Sequence, residues 1–398
     1  MTIGILSNIS VASLAGWLNE SDRVSATRLS ANSAPSVTTL ALEWLKAGHR
    51  LVVFTLDPEA DDMMVLKGDR LTVYVAPAVA KSRIARLVSP FGRDVRLLMK
   101  MIHSADEHID VVSVHWTRDY AIAARYFLDR CKVFVTVRDI MPYIIKQIHG
   151  LRNYAWYVTY LKNEYVMRSH GFCFIANSDY TAESVKKYWG MDVPVIPNPV
   201  DDRYLEIPLH SEHRRGGFSM ATISMSVLDD KRKNIPALLD AFAIVRTKYP
   251  DVSLELIGPS FNTQDDTVIR YMSARKLRGV SLVGSLPHDV VVERLRHVDL
   301  MVHPSLEETF GNTLVESMAV GCPVLGGENA GAVPSVLDYG RAGFLCDITS
   351  ADAIADKIME IIENPELRQK IAEAGREYCR SRYSSAVIAA RYISMFES

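Results

Sequence analysis

Glu308 and Glu316 stand with seven residues between them, and the stretch they bracket opens a helical pattern over 312–319. Thr309, Asn312 and Thr313 suit the first turn of such a helix, and Gly311 lets the backbone approach a bound group. Unpaired N–H groups and the positive helix end can then face an anion. A carboxylate beside a diphosphate repels it, whereas a carboxylate beside a polyhydroxy ligand accepts paired hydroxyl hydrogen bonds. The pattern therefore suits an anion flanked by hydroxyl-rich groups, a sugar at one end and a ribose at the other. The spacing alone says little, since two surface glutamates fall into it often.

A second cluster adds weight. Lys231, Arg232 and Lys233 precede a helix that starts near Ile235-Pro236, with Asn234 as its cap. Fixed cations stabilise the charge that builds on a departing diphosphate without a metal ion. Such a cluster is ordinarily a solvated patch, and only its pairing with the glutamate element makes it an anion site.

Parallel-sheet grammar positions both clusters. Met301 and Val302 close an apolar strand, His303-Pro304-Ser305 turn the chain, and Gly321-Cys322-Pro323-Val324 opens the next strand. Phe218–Met225, Leu254–Gly258 and Ser281–Leu286 read as further strands, and the loops at Gly258 and Leu286 are expected to flank a nucleobase through backbone groups. Ala351–Glu363 and Pro365–Arg382 read as polar-faced helices, and Ser385–Phe396 carries an apolar stripe. In the first half, Ile3–Ser7, Leu51–Leu56, Leu71–Ala76, Val111–His115, Val133–Val137 and Phe172–Ala176 are strand-like, several of them apolar throughout. Strands buried on both faces imply a parallel sheet covered by helices, a Rossmann-like layer. Val37–Ala47, stopped by Gly48, reads as an amphipathic helix. The loop between Ser7 and Asn32-Ser33-Ala34-Pro35 is unusually long.

Strand ends in this half carry further candidates, because ligands gather at the carboxyl edge of open α/β sheets. Arg138-Asp139 follows one strand and His115 ends another; an Arg–Asp ion pair and a structural histidine are the plainer readings. Val79–Met101 is basic and amphipathic, which suits either an anionic membrane surface or a solvated helix. Tyr143–Arg168 is rich in Tyr and Trp, for packing, sugar stacking or a lipid interface. Asp57-Pro58-Glu59 offers a carboxylate pair for a metal, but leaves the second half unexplained. Residues 201–218 are polar and aperiodic, as an interdomain linker is.

Bulk properties narrow the class. The 398 residues, 48% apolar and 23% charged, allow two cores. With 45 basic and 47 acidic residues there is no charge excess to bind nucleic acid. Five scattered cysteines favour free thiols in a reducing cytosol. No leader or membrane-spanning stretch is evident.

The whole run from Met301 to Gly327, with HPS, Glu308, Thr-Phe-Gly, Glu316 and GCPV in order, resembles the retaining GT-B glycosyltransferases, specifically glycosyltransferase family 4, group 1. The similarity extends over nearly the full chain. It implies an α/β fold of two Rossmann-like domains (GT-B) with an interdomain cleft: an acceptor-binding domain over 1–200, a linker over 201–217, a nucleotide-sugar donor domain over 218–382, and a terminal helix over 383–398 crossing back to the first domain. The donor is then a nucleotide-diphosphate sugar and the acceptor a carbohydrate or lipid-linked hydroxyl. No metal cofactor and no nucleic acid are involved, and the location is cytoplasmic with a peripheral contact at the inner membrane face. The resemblance gives donor-sugar hydroxyls to Glu308, the ribose to Glu316, and the diphosphate to Lys233 and the backbone of Phe310, Gly311 and Asn312. The family's Arg falls near Val227, where Lys231 or Arg232 substitutes. Ser33-Ala34 replaces the family's glycine pair at the floor of the site, and Arg138-Asp139 stands where the family places His-Asp. Arg138 stays protonated and cannot serve as a base, which leaves it a phosphate contact or a partner for Asp139. A nucleotide-sugar-binding protein without catalysis, and a sugar-nucleotide epimerase on the same architecture, are the competing readings.

Overall fold

Apolar runs bounded by turn residues form two separate, mostly parallel sheets in the computed structural model, which describes residues 1–30, 34–78, 92–147, 154–208, 217–224, 231–262 and 266–398. The chain divides into a unit of Met1–Pro199 with Ser385–Ser398 and a second unit of Val200–Ser384. Among the described residues no helix is long and apolar enough to cross a membrane.

The first unit holds β1 (Thr2–Leu6), β2 (Arg50–Asp57), β3 (Met64–Lys67), β4 (Leu71–Pro77), β5 (Val111–His115), β6 (Lys132–Val137) and β7 (Phe172–Ala176), in the order β3-β4-β2-β1-β5-β6-β7. Every pairing is parallel except that of β3 with β4. The sequence reading missed β3. It is four residues long and lies on the sheet edge, where one face meets water and a continuous apolar run is not required. The long loop expected after Ser7 is also corrected, because it contains the helices Val11–Leu14 and Glu20–Ala26. Ser10 caps the first of these by accepting the Ser13 N–H at 3.2 Å, and Val11, Leu14 and Ala26 are buried.

The helix Ser385–Glu397 packs on the helix Pro35–Lys46 within this unit. Trp44 meets Tyr392 edge-on at 5.9 Å and Phe396 at 5.6 Å, and its Nε1–H donates to the Ala389 carbonyl at 3.3 Å. The Tyr392 hydroxyl lies 3.0 Å from Thr136 Oγ1 on β6. Of the basic segment, residues 79–91 lie outside the described residues. Its remainder enters the helix Arg93–Ser104, which buries Leu98, Met101 and Ile102, while Arg93 donates to the carbonyls of Pro77 and Ala78. The aromatic stretch forms the helices Met141–Gln147 and Tyr154–Met167, with 148–153 outside the described residues.

The second unit holds β8 (Ser219–Ile223), β9 (Ser253–Ile257), β10 (Val280–Gly284), β11 (Leu300–His303), β12 (Val324–Gly327) and β13 (Phe344–Cys346), all parallel, in the order β10-β9-β8-β11-β12-β13. The chain steps outward from β8 to β10 and then returns to the other side at β11. That reversal opens a crevice between the carboxyl ends of β8 and β11, where ligands bind in doubly wound folds. Part of the expected linker is ordered here as the helix Asp202–Glu206; residues 209–216 lie outside the described residues.

Tyr392→Ala is expected to cost about 3–5 kcal/mol, the usual loss for a buried aromatic, and Tyr392→Phe, which gives up one hydrogen bond, about 1 kcal/mol. Denaturant midpoints check both, and an unchanged midpoint for the alanine variant refutes this docking of the helix.

Candidate active site

Lys233 and Glu308 reach the crevice of the second unit from its two sides. Lys233 ends the short turn Lys231–Lys233 that follows β8, and Glu308 lies in the loop that follows β11. The loops are stitched together where the Leu306 N–H donates to the Arg232 carbonyl at 2.7 Å. Lys233 Nζ lies 2.5 Å from Glu308 Oε1, and His303 Nε2 lies 3.1 Å from the same oxygen. The Glu308 backbone is fixed as well, its carbonyl accepting the Ala332 N–H at 2.8 Å. Burial opposes ionisation of Glu308, but the hydrogen bonds and charges of His303 and Lys233 outweigh it and hold the carboxyl well below the usual carboxylate range. Glu308 is therefore an anion at neutral pH. Oε1 takes both donors; Oε2 takes none among the described residues.

The neighbouring backbone is built for close approach. Gly311 starts the helix Asn312–Ala319 at φ 88°, no side chain caps that start, and a Cβ at 311 would lie 2.7 Å from Leu314 Cδ1. Phe310 is buried edge-on against Tyr383 at 5.4 Å, Thr309 is half-buried and Asn312 is exposed. Thr313 Oγ1 lies 3.4 Å from His303 Nδ1. Gly258, after β9 at φ 142°, passes so near β8 that a Cβ would lie 1.8 Å from the Ser224 carbonyl oxygen. Leu286 is half-buried and packs against the cluster of Ala221, Ile257 and Val291. One turn along the helix from Gly311, Glu316 Oε1 lies 2.9 Å from His288 Nε2.

Lys231 is exposed and Arg232 half-buried. Val227 lies outside the described residues. The expectation that Asn234 caps its helix is corrected: its backbone is left-handed at φ 52°, not the extended conformation a capping side chain needs, and its amide donates to the Ile348 carbonyl at 2.7 Å.

The first unit gathers a different set of groups. Arg138, buried after β6, donates through Nη1 to Ser36 Oγ at 3.0 Å and Asn198 Oδ1 at 2.8 Å, and through Nε and Nη2 to His115 Nδ1 at 3.3 and 3.1 Å. Burial first, and the Arg138 charge second, drive the His115 pKa well below its ordinary value. His115 is thus a neutral acceptor, with Nε2 at 3.5 Å from Ser113 Oγ. Trp116 takes a left-handed φ of 71° beside this cluster, and its ring lies 5.5 Å from the guanidinium carbon. Asp139 pairs with Arg118 at 2.9 Å instead of with Arg138, correcting the adjacent ion pair; successive side chains leaving a strand point to opposite faces. Ala34 is left-handed at φ 43° ahead of Pro35, and Ser33 lies outside the described residues.

The two units hold their candidates separately: Lys233, Glu308 and Thr313 meet around His303, and Arg138 meets His115. The sequence reading passed over His303, His288, Tyr204 and Ser36 as site residues. His303 was treated as a turn residue, although its place at the end of β11 beside the topological reversal was the signal that marks it.

A pH experiment follows from the depressed Glu308 pKa. Its pairing adds stability above the unfolded carboxyl value of about 4.3 and loses it as pH falls through the folded value. Lys233→Met should lift that folded value and lower stability by about 1–3 kcal/mol at neutral pH. The gap from wild type should narrow as unfolding is measured toward about pH 3; a gap independent of pH contradicts the assignment.

Two family models match the chain, "Glycosyltransferase Family 4" over residues 34–204 and "Glycosyl transferases group 1" over residues 221–378. The chain is 26% identical to N-acetyl-alpha-D-glucosaminyl L-malate synthase of Bacillus anthracis, over 76% of this chain and 78% of that protein. It is 29% identical to phosphatidyl-myo-inositol mannosyltransferase of Mycobacterium tuberculosis, over 56% of this chain and 59% of that protein. Similar solved structures include sucrose-phosphate synthase of Thermosynechococcus elongatus (TM-score 0.74, 16% identity, 100% and 98% of the two chains) and Anabaena HepE in complex with UDP and glucose (TM-score 0.66, 19% identity, 100% and 99%). With models of both halves matched, glycosyltransferases among its relatives and two parallel-sheet units in the GT-B manner, the chain belongs to the family 4, group 1 glycosyltransferases.

Proposed function

We propose that this glycosyltransferase moves a sugar from a nucleoside diphosphate to a hydroxyl of a carbohydrate or lipid-linked acceptor, with retention at the anomeric carbon and without a metal ion, in bacterial glycan or glycolipid synthesis. The observation that carries this reading is the Lys233–Glu308 pair at the sheet reversal of the second unit. A fixed cation there offsets charge developing on the diphosphate, and the helix start at Gly311 presents backbone N–H groups to the same anion. Glu308, kept ionised, accepts donor-sugar hydroxyls, and Glu316 accepts those of the ribose. The leaving phosphate helps take the acceptor proton on the face it departs from, with no protein nucleophile.

Relatives support the substrate class through their names, one a glucosaminyl malate synthase and one a phosphatidylinositol mannosyltransferase. HepE, whose structure holds UDP and glucose, supports a nucleotide sugar as donor. The rival metal-dependent reading leaned on Asp57 and Glu59. Asp57 is buried and spends its carboxylate on the N–H groups of Ser30 and Glu59, which gives it a turn-holding role. In the first unit the buried Arg138, held by Ser36, Asn198 and His115, fits a fixed element of the acceptor side better than a proton shuttle.

Glu308→Ala and Lys233→Ala should each cut transfer by roughly a hundredfold or more with the fold retained, as expected when transition-state charge loses its partner. Transfer should persist in excess chelator, and the product should keep the donor's anomeric configuration by NMR. Near-normal turnover in either variant overturns the catalytic roles. Loss of activity in chelator overturns metal independence, and an inverted product overturns retention.

A further inference from the structure

We infer that His288 is a positioning residue for the donor ribose, an imidazolium that fixes the Glu316 carboxylate and so makes nucleotide affinity depend on pH. This rests on the ribose role given to Glu316 above, and the experiment below separates the two.

Hydrogen-bond directions carry the argument. Tyr204 Oη lies 2.8 Å from Asp289 Oδ1 and 3.3 Å from His288 Nδ1, and His288 Nε2 lies 2.9 Å from Glu316 Oε1. A phenol has one proton, and Asp289, an acceptor only, takes it. Tyr204 Oη is then an acceptor toward His288, so Nδ1 must carry a proton. Glu316 is likewise an acceptor, so Nε2 must carry one too. A ring protonated at both nitrogens is a cation, and it sits between two carboxylates.

The surroundings agree with that charge. Tyr204 is buried, and burial together with Asp289 drives its phenol pKa up, which keeps its proton in place. Around the ring stand Glu316 from the helix Asn312–Ala319, Asp289 from the helix His288–Leu295, and Asp201 and Tyr204 at the helix Asp202–Glu206. Arg203 lies 4.0 Å from Asp289 as an opposing cation. Burial works against the imidazolium, but Glu316, Asp289 and Asp201 outweigh it and raise the His288 pKa. The His288 side chain is 27% exposed and that of Glu316 13%, so the pair is shielded from solvent on most sides yet reachable by a ligand.

The sign follows. As pH rises through the elevated His288 value, one proton leaves. Glu316 then loses a cationic partner, and the relay from Asp289 through Tyr204 loses one of its links. The carboxylate is released from the orientation in which it meets the ribose hydroxyls.

Isothermal titration with UDP, GDP and ADP tests this on the full chain, using whichever binds. Wild-type affinity should fall between about pH 6 and about pH 9. His288→Leu should bind about tenfold more weakly at the lower pH, the worth of a charge-assisted hydrogen bond, and the gap should narrow at the higher, where wild type keeps only a neutral donor. His288→Gln, which keeps a neutral donor toward Glu316, should recover part of that loss with a flatter pH profile. The 2′,3′-dideoxy diphosphate of the same base should bind wild type and His288→Leu alike, a coupling that mere loss of fold does not reproduce. If none of the three diphosphates binds, the donor-site reading fails and this inference with it. If one binds with the same affinity and pH profile in wild type and His288→Leu, or if the dideoxy ligand still distinguishes them, only the inference fails.

Discussion

A carboxylate largely withdrawn from water must be met by charge or by donors, and Glu308 is met by both. Lys233 and His303 close on a single oxygen, although the lysine lies far back in the sequence and the histidine just upstream. To bring them together, the loops after β8 and β11 must share a backbone hydrogen bond, and the segment before β13 must hold the Glu308 carbonyl from the other side. The order of the sheet is what makes this possible, since only adjacent strands whose connections run opposite ways leave a gap at their ends. Charge pairing and topology thus specify the same place.

The first unit meets the converse problem, a buried cation, with different means. Arg138 donates to a hydroxyl, an amide oxygen and a neutral imidazole. Its planar fork is satisfied geometrically. Left-handed backbone stands near it at Ala34 and Trp116, and glycines take positive φ at Gly311 and Gly258 in the second unit. Conformations of this kind persist where surrounding structure over-determines them.

Much of the frame was legible because buried parallel strands write themselves as apolar runs. The residues 172–176 and 111–115 form strands with the bounds read from the sequence, as 312–319 and 351–363 form helices. What escaped was set by partners distant in the chain. β3 depends on an edge pairing that its four residues do not announce. Asn234 has the composition of a cap but a left-handed backbone, fixed by the tie to Ile348. Arg138 and Asp139 are adjacent in sequence and diverge in space. The basic turn and the paired glutamates were visible as types and spacings. The strand-end place of His303 was legible too, but not which carboxylate it or His288 faces, because a lone histidine in a sequence carries no sign of its partner.

The helix Ser385–Glu397 supplies the last layer of the first unit's core from beyond the whole of the second unit in sequence. During synthesis the ribosome must emit the whole of the second unit before Tyr392 and Phe396 become available to cover Trp44. The usual vectorial order, in which the leading domain matures first, is therefore inverted at this seam. The second unit is contiguous and can close alone, while the first waits with an open apolar flank. A nascent chain stalled before that helix would expose a greasy face whose covering strip has not been made, a natural landing place for a chaperone.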